Sequence, residues 1–90
     1  MNSNIREISN ILTTISDTDE IHQFFNEMLT ESELKTLSKR WQILRMLKSG
    51  ATQRDIASTL NVSLCKVTRG AKILKSKDTI VSKKMTMENK

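Results

Sequence analysis

The chain reads as an all-α protein built around a helix-turn-helix. Three observations carry that reading. In 90 residues there is no proline, the only glycines are Gly50 and Gly70, and the only aromatics are Phe24, Phe25 and Trp41, which leaves little material for β-strands. Apolar residues recur every three or four positions through the first half of the chain. Finally, Thr52 to Lys75, TQRDIASTLNVSLCKVTRGAKILK, has the residue grammar of two short helices around a tight turn. In it, Ile56 and Leu60 make the apolar face of the first helix, and Ala57 is small where the helices cross. Asn61 falls at the turn, where a left-handed backbone is needed and Asn tolerates it better than most residues. Val62 and Val67 return to the core, and Ser63 caps the second helix.

The remaining elements follow in order. Ile5, Ile8, Leu12 and Ile15 form a stripe that predicts a first helix over about residues 4–15, to be buried against the same chain or a second copy. Ser16-Asp17-Thr18-Asp19 is a break and a cap. A second helix, about 19–28, turns Ile21, Phe24, Phe25 and Met28 inward. Thr30-Glu31-Ser32-Glu33 is a capping box that opens the longest helix, about 31–48. Its expected core face is Leu34, Leu37, Trp41, Leu44 and Leu47. Gly50 ends it, and Thr52 caps the first motif helix. The reading is one helical domain over 1–75 and a basic tail over 76–90. In that tail Ile80, Val81, Met85 and Met87 make at most a weak helix, and fraying or disorder is expected.

Net charge is +5 and unevenly placed. Residues 1–34 carry one base and seven acids, whereas 64–90 carry eight bases and two acids. The basic half holds the helix-turn-helix, as a polyanion partner requires. The lone Cys65 excludes an internal disulfide and fits a reducing cytoplasm. No apolar run approaches membrane length and no signal-peptide core is present. There is no metal-ligand cluster, no phosphate loop and no nucleophile paired with a base, and His22 reads as an ordinary helical residue. An enzyme is not expected.

Leu64 to Lys75 would be the recognition helix, with Leu64, Val67, Ala71 and Leu74 able to face inward. Its early positions Leu64, Cys65 and Thr68 are placed to reach base edges and thymine methyls in the major groove. Lys72 and Lys75 suit phosphates, as do Gln53 and Arg54 at the start of the preceding helix. Gly70 is the odd residue, because glycine inside a helix costs roughly 0.5–1 kcal/mol relative to alanine. Two explanations stay open: close packing against another helix, or room for something flat beside the Arg69 guanidinium. Arg40, on the long helix, is a second arginine that can face the same space, and two guanidinium planes can sandwich an aromatic ring.

With Met28-Leu29-Thr30, Arg40, the TQRDIA of Thr52–Ala57 and the VTRG of Val67–Gly70 followed by Leu74-Lys75, the chain resembles the tryptophan repressor family over about residues 20–75. The resemblance implies an intertwined helical homodimer that binds double-stranded operator DNA when L-tryptophan is bound as corepressor. It further implies that Arg40 and Arg69 flank the indole, that Arg40 also holds the carboxylate, and that Gly70 leaves room beside the ligand. Thr30 and the backbone around Leu29 of the second subunit line the rest. Gln53, Arg54, Leu64, Cys65, Thr68, Lys72 and Lys75 fall at the family's DNA-facing positions.

The departures are Ile73, where well-known members have a serine that helps hold the ligand, Lys66 in place of a small polar residue, Glu27 in place of an apolar one, a linker around Gly50 to Thr52 one residue shorter, and the basic tail in place of an amphipathic helix. The leading expectation is a cytoplasmic, dimeric transcriptional repressor gated by tryptophan. Its alternatives are a DNA-binding module without an effector and a helical protein-interaction domain.

Overall fold

The computed structural model describes residues 2–88 and, among them, contains six helices and no strand. They are α1 (Ser3–Leu12), α2 (Thr18–Met28), α3 (Glu31–Lys48), α4 (Gln53–Leu60), α5 (Leu64–Lys75) and α6 (Ile80–Glu88). By their contacts the residues group into two compact units, 1–35 and 36–90, a division that falls inside the stretch the sequence presents as one domain.

In the first unit, α1 stops at Leu12, three residues before the expected end. The reason is local. The hydroxyls of Thr13 and Thr14 donate to the carbonyls of Asn10 and Ile11, both at 2.6 Å, and so satisfy groups that a continuing helix would use. Asp17 then caps α2, its carboxylate accepting from the Asp19 N–H. Phe24 and Phe25 meet edge to face, with centroids 6.4 Å apart. No residue of α1 or α2 is fully buried, and Ile5, Ile11 and Met28 are exposed.

The capping box forms as the sequence predicts. The Thr30 hydroxyl accepts from the Glu33 N–H at 3.1 Å, and the Thr30 N–H donates to the Glu33 carboxylate at 2.8 Å. Glu31 and Glu33 lie in the first turn of α3 and Arg45 and Lys48 in its last, so both ends complement the helix dipole.

The core belongs to the second unit. Ile43, Ile56 and Val67 are buried together, with Met46, Leu47, Ala51, Ala57, Leu60 and Val62 packed around them. This corrects the expected inner face of α3. Leu44 is buried and Leu47 half-buried, but Leu37 and Trp41 remain 44% and 40% exposed, and Ile43, absent from that face, is 2% exposed. The cause lies on α5. A Cβ on Gly70 would stand 3.0 Å from Ile43 Cγ2, 3.3 Å from Leu47 Cδ1 and 3.5 Å from Leu44 Cδ2. The helices therefore meet along residues 43, 44 and 47, and the Leu37–Trp41 side is left uncovered.

Two left-handed residues shape the turns. Gly50 has φ +97° with open space around it, so its backbone conformation alone demands glycine. Behind it the Ala51 N–H reaches the Met46 carbonyl and the Gly50 N–H the Leu47 carbonyl, a Schellman closure. Asn61 repeats the device at φ 54°, with the Val62 N–H on the Ala57 carbonyl at 3.0 Å.

After α5 the chain departs from the expected frayed tail. Thr79 caps α6, its hydroxyl accepting from the Ser82 N–H at 3.1 Å. The Thr79 hydroxyl also lies 3.1 Å from the Ile73 carbonyl, and the Ser82 hydroxyl 2.9 Å from that of Ser76. The carbonyls at the end of α5 are thus met by side chains that begin α6. Met85 is buried at 4% exposure, and the polar composition that suggested fraying overlooked this anchor. The Met87 side chain and residues 89–90 lie outside the described residues.

Asn61→Gly should leave stability unchanged or slightly raised, because glycine takes the left-handed region without penalty. Asn61→Val should cost about 1–2 kcal/mol, the usual penalty for an L-residue there. Urea denaturation followed by circular dichroism measures both.

Candidate functional site

Helix α5 has three faces. Val67 is fully buried and Ala71 and Leu74 half-buried, which fixes the helix on its core side. Leu64, Cys65, Thr68, Lys72 and Lys75 are all exposed, as are Gln53 and Arg54 on α4. Leu64, expected to be able to turn inward, is instead 47% exposed at the first position of the helix, so it joins the outer set. All seven residues expected to meet DNA therefore remain available to a partner.

Both motif helices carry side-chain caps. Thr52 Oγ1 accepts from the Asp55 N–H at 3.1 Å and Ser63 Oγ from the Lys66 N–H at 3.3 Å. A bond that sequence reasoning did not foresee joins them: the Thr68 hydroxyl lies 3.0 Å from Gln53 Oε1 and 3.0 Å from the Leu64 carbonyl. The contact with Gln53 ties the start of α4 to the middle of α5, and the Leu64 carbonyl is the second acceptor within reach of the same hydroxyl. Spacing within one helix could not reveal it, since the residues are 15 apart in sequence.

The third face carries a pocket of about 100 Å³. Lys66, Arg69, Gly70 and Ile73 come from α5, at the i, i+3, i+4, i+7 spacing of one helical stripe. Arg40, Ile43 and Leu44 come from a matching stripe on α3. Arg40, Arg69, Gly70 and Ile73, four of the six residues proposed to meet a ligand, thus line a single cavity. The other two, Leu29 and Thr30, belong to the first unit and are not among its walls.

Gly70 now has a definite packing role. It is buried, and a Cβ there would crowd Ile43 and Leu47, which would have to give by a few tenths of an ångström, while touching Leu44 at an ordinary distance. Close helix packing therefore accounts for the glycine, and its place in the pocket wall follows from the same approach. Ile43 and Leu44 were missed as pocket residues. The 40–43–44–47 spacing on α3 was the signal available for them.

An all-helical chain with side-chain-capped helices around an asparagine turn, and an exposed outer set on the second of them, is a helix-turn-helix protein. Comparison with known proteins narrows the class. The family model described as "Trp repressor protein" matches residues 3–89. The chain is 39% identical over 62 residues to a Trp operon repressor homolog of Xylella fastidiosa, covering 68% of this chain and 67% of that protein. It is 39% identical over 59 residues to one of Chlamydia trachomatis, covering 64% of this chain and 63% of that protein. The uncharacterized protein YerC of Bacillus subtilis is 27% identical over 63 residues, which are 70% of this chain and 61% of that one. The matched stretch is thus less than two thirds of the Chlamydia and Bacillus proteins. No solved structure matches significantly. The chain belongs to the Trp repressor family.

That family is regulatory and not enzymatic. No helix among the described residues is long and apolar enough to cross a membrane, and no group of three or more His, Cys, Asp or Glu among them is placed to hold a metal ion.

Gly70→Ala sets a helix-propensity gain of roughly 0.5–1 kcal/mol against an overpacking cost of about 1–3 kcal/mol. A net loss near 1 kcal/mol is expected, and a larger one for Gly70→Val. Urea unfolding checks the order; a stabilised Gly70→Val variant would contradict the close contact.

Proposed function

We propose that this chain is a dimeric, DNA-binding transcriptional repressor of the cytoplasm, gated by a small effector, with L-tryptophan the corepressor its family resemblance implies. The observation that supports this best is the division of labour on α5. One face of the helix offers Leu64, Cys65, Thr68, Lys72 and Lys75, and another forms a wall of the pocket with Arg69, Gly70 and Ile73. A ligand on the second face acts on the same rigid body that presents the first, so its binding energy can bias how the reading head is held.

In this reading Arg40 and Arg69 flank the effector, and Thr30 and the backbone around Leu29 complete the site, Leu29 from the second subunit. Thr68, Cys65 and Leu64 meet base edges. Gln53, Arg54, Lys72 and Lys75 meet phosphates, where cations position the protein without reading sequence. The uncovered apolar residues Ile5, Ile11, Met28, Leu37 and Trp41 support a second copy as partner, because large apolar side chains at 40–55% exposure recur through both units. Sedimentation at micromolar concentration should give the mass of two chains, and a single-chain mass would remove the dimer.

One observation favours a second reading. The pocket, at about 100 Å³, is smaller than the roughly 150 Å³ cavity that accepts benzene. With Ile73 and Lys66 occupying that space, α5 would be held in its DNA-binding position without an effector. Titration calorimetry with millimolar L-tryptophan separates the two: heat, and DNA affinity that rises with ligand, support gating, whereas no heat with intact DNA binding supports the effector-free module. Arg69→Ala should abolish the ligand response and preserve the helical circular dichroism spectrum.

On duplexes selected from a random pool, affinity should fall steeply between 50 and 200 mM salt as phosphate contacts release counterions. Lys72→Ala should flatten the logarithmic salt slope by about 1. A failure to select any duplex would instead favour a helical protein-interaction domain.

A further inference from the structure

Thr68 stands on the exposed face of α5, one turn after Leu64, so the two side chains share a stripe. Its hydroxyl has two acceptors within reach, Gln53 Oε1 and the Leu64 carbonyl, each at 3.0 Å. Both belong to the protein. A hydroxyl carries one proton, and with either acceptor that proton is taken up inside the motif. What Thr68 keeps for a partner is its methyl group and the lone pairs of Oγ1. Leu64, 47% exposed, adds an apolar side chain, and the exposed Cys65 offers only a weak S–H donor. The early part of this face is therefore rich in apolar groups and poor in side-chain donors. All of it comes from α4 and α5 of one chain.

That chemistry distinguishes base pairs. In the major groove guanine shows two acceptors, N7 and O6, which call for donors. A hydroxyl whose proton is already taken up supplies none. A T·A pair shows the thymine C5-methyl and, beside it, the N6 amino group of adenine. The first suits the Thr68 methyl and Leu64, and the second suits the lone pairs of Oγ1. Cytosine offers an amino group but no methyl.

We infer that Thr68 reads a thymine through its C5-methyl group while its hydroxyl serves the protein, which makes Thr68 a specificity-determining residue for a T·A pair. The inference rests on the reading of this face as DNA-binding and adds which atoms of the side chain and the base do the selecting.

The test uses the full chain and a duplex selected from a random pool. Each thymine is replaced in turn by uracil, which removes only the C5-methyl. At one or more positions the wild-type chain should bind the uracil duplex about fourfold more weakly, the worth of one buried methyl. The readout is this thymine-to-uracil affinity ratio, whatever the absolute affinity of a variant. Thr68→Ser keeps the hydroxyl and loses the methyl, and should bring the ratio to about one at such a position. Thr68→Val keeps a methyl in place and loses the hydroxyl, and should hold the ratio near fourfold. Circular dichroism checks that both variants keep the helical spectrum. A ratio that survives in Thr68→Ser at every sensitive position, one that vanishes in Thr68→Val, or a wild-type chain with no uracil-sensitive position overturns the inference and leaves DNA binding standing. A pool that yields no duplex removes the DNA-binding reading, and this inference with it.

Discussion

The absence of one carbon atom at position 70 organises the second unit. Because Gly70 has no side chain, α5 lies against Ile43 and Leu47 at distances that a Cβ would contest, with Leu44 in ordinary contact beside them. That contact determines which side of α3 is interior. It also brings the Arg40 stripe of α3 beside the Arg69 stripe of α5, so the cavity between them is a by-product of the packing. A glycine that costs helix propensity within its own helix is retained by what it permits between helices.

Local chemistry was read well from sequence because it is decided over four or five residues. The caps at Thr30, Thr52 and Ser63, the left-handed Asn61 and the stop at Gly50 each depend on near neighbours, and each has the geometry its residues suggest. What was not legible depends on which helix lies next to which. Leu34, Leu37, Trp41, Leu44 and Leu47 make a good apolar stripe, yet Ile43, offset from it, is nearly inaccessible while Trp41 is not. Periodicity shows that a helix has an apolar side but cannot choose between two overlapping ones when a partner element is unassigned. The end of α1 was missed for a different reason: the threonine hydroxyls at 13 and 14 compete for backbone carbonyls, an effect that hydrophobic pattern does not register.

The candidate site divides in the same way. The outer face of the motif followed from spacing once Val67 was assigned to the core. Joining Arg40 to Arg69 required the arginine–glycine juxtaposition and the family resemblance together, since no rule of spacing links positions 29 residues apart in different helices. Gly70 had two competing explanations, and the structure supplies the first: close packing is the reason for the glycine, and a pocket opens beside the place where the helices touch.

The junction after α5 has a consequence for cooperativity. Helices commonly end on a glycine, whose backbone N–H groups and those just after it close the last turn. Here the carbonyls of Ile73 and Ser76 are met by the hydroxyls of Thr79 and Ser82, and Thr79 in turn caps α6. Opening α6 therefore exposes the last turn of α5, and loosening α5 removes the partners that hold the start of α6. The two ends form one opening unit in the sense of local unfolding. Through that shared unit, damage to α6 propagates to a helix whose opposite end carries the exposed Leu64, Cys65 and Thr68.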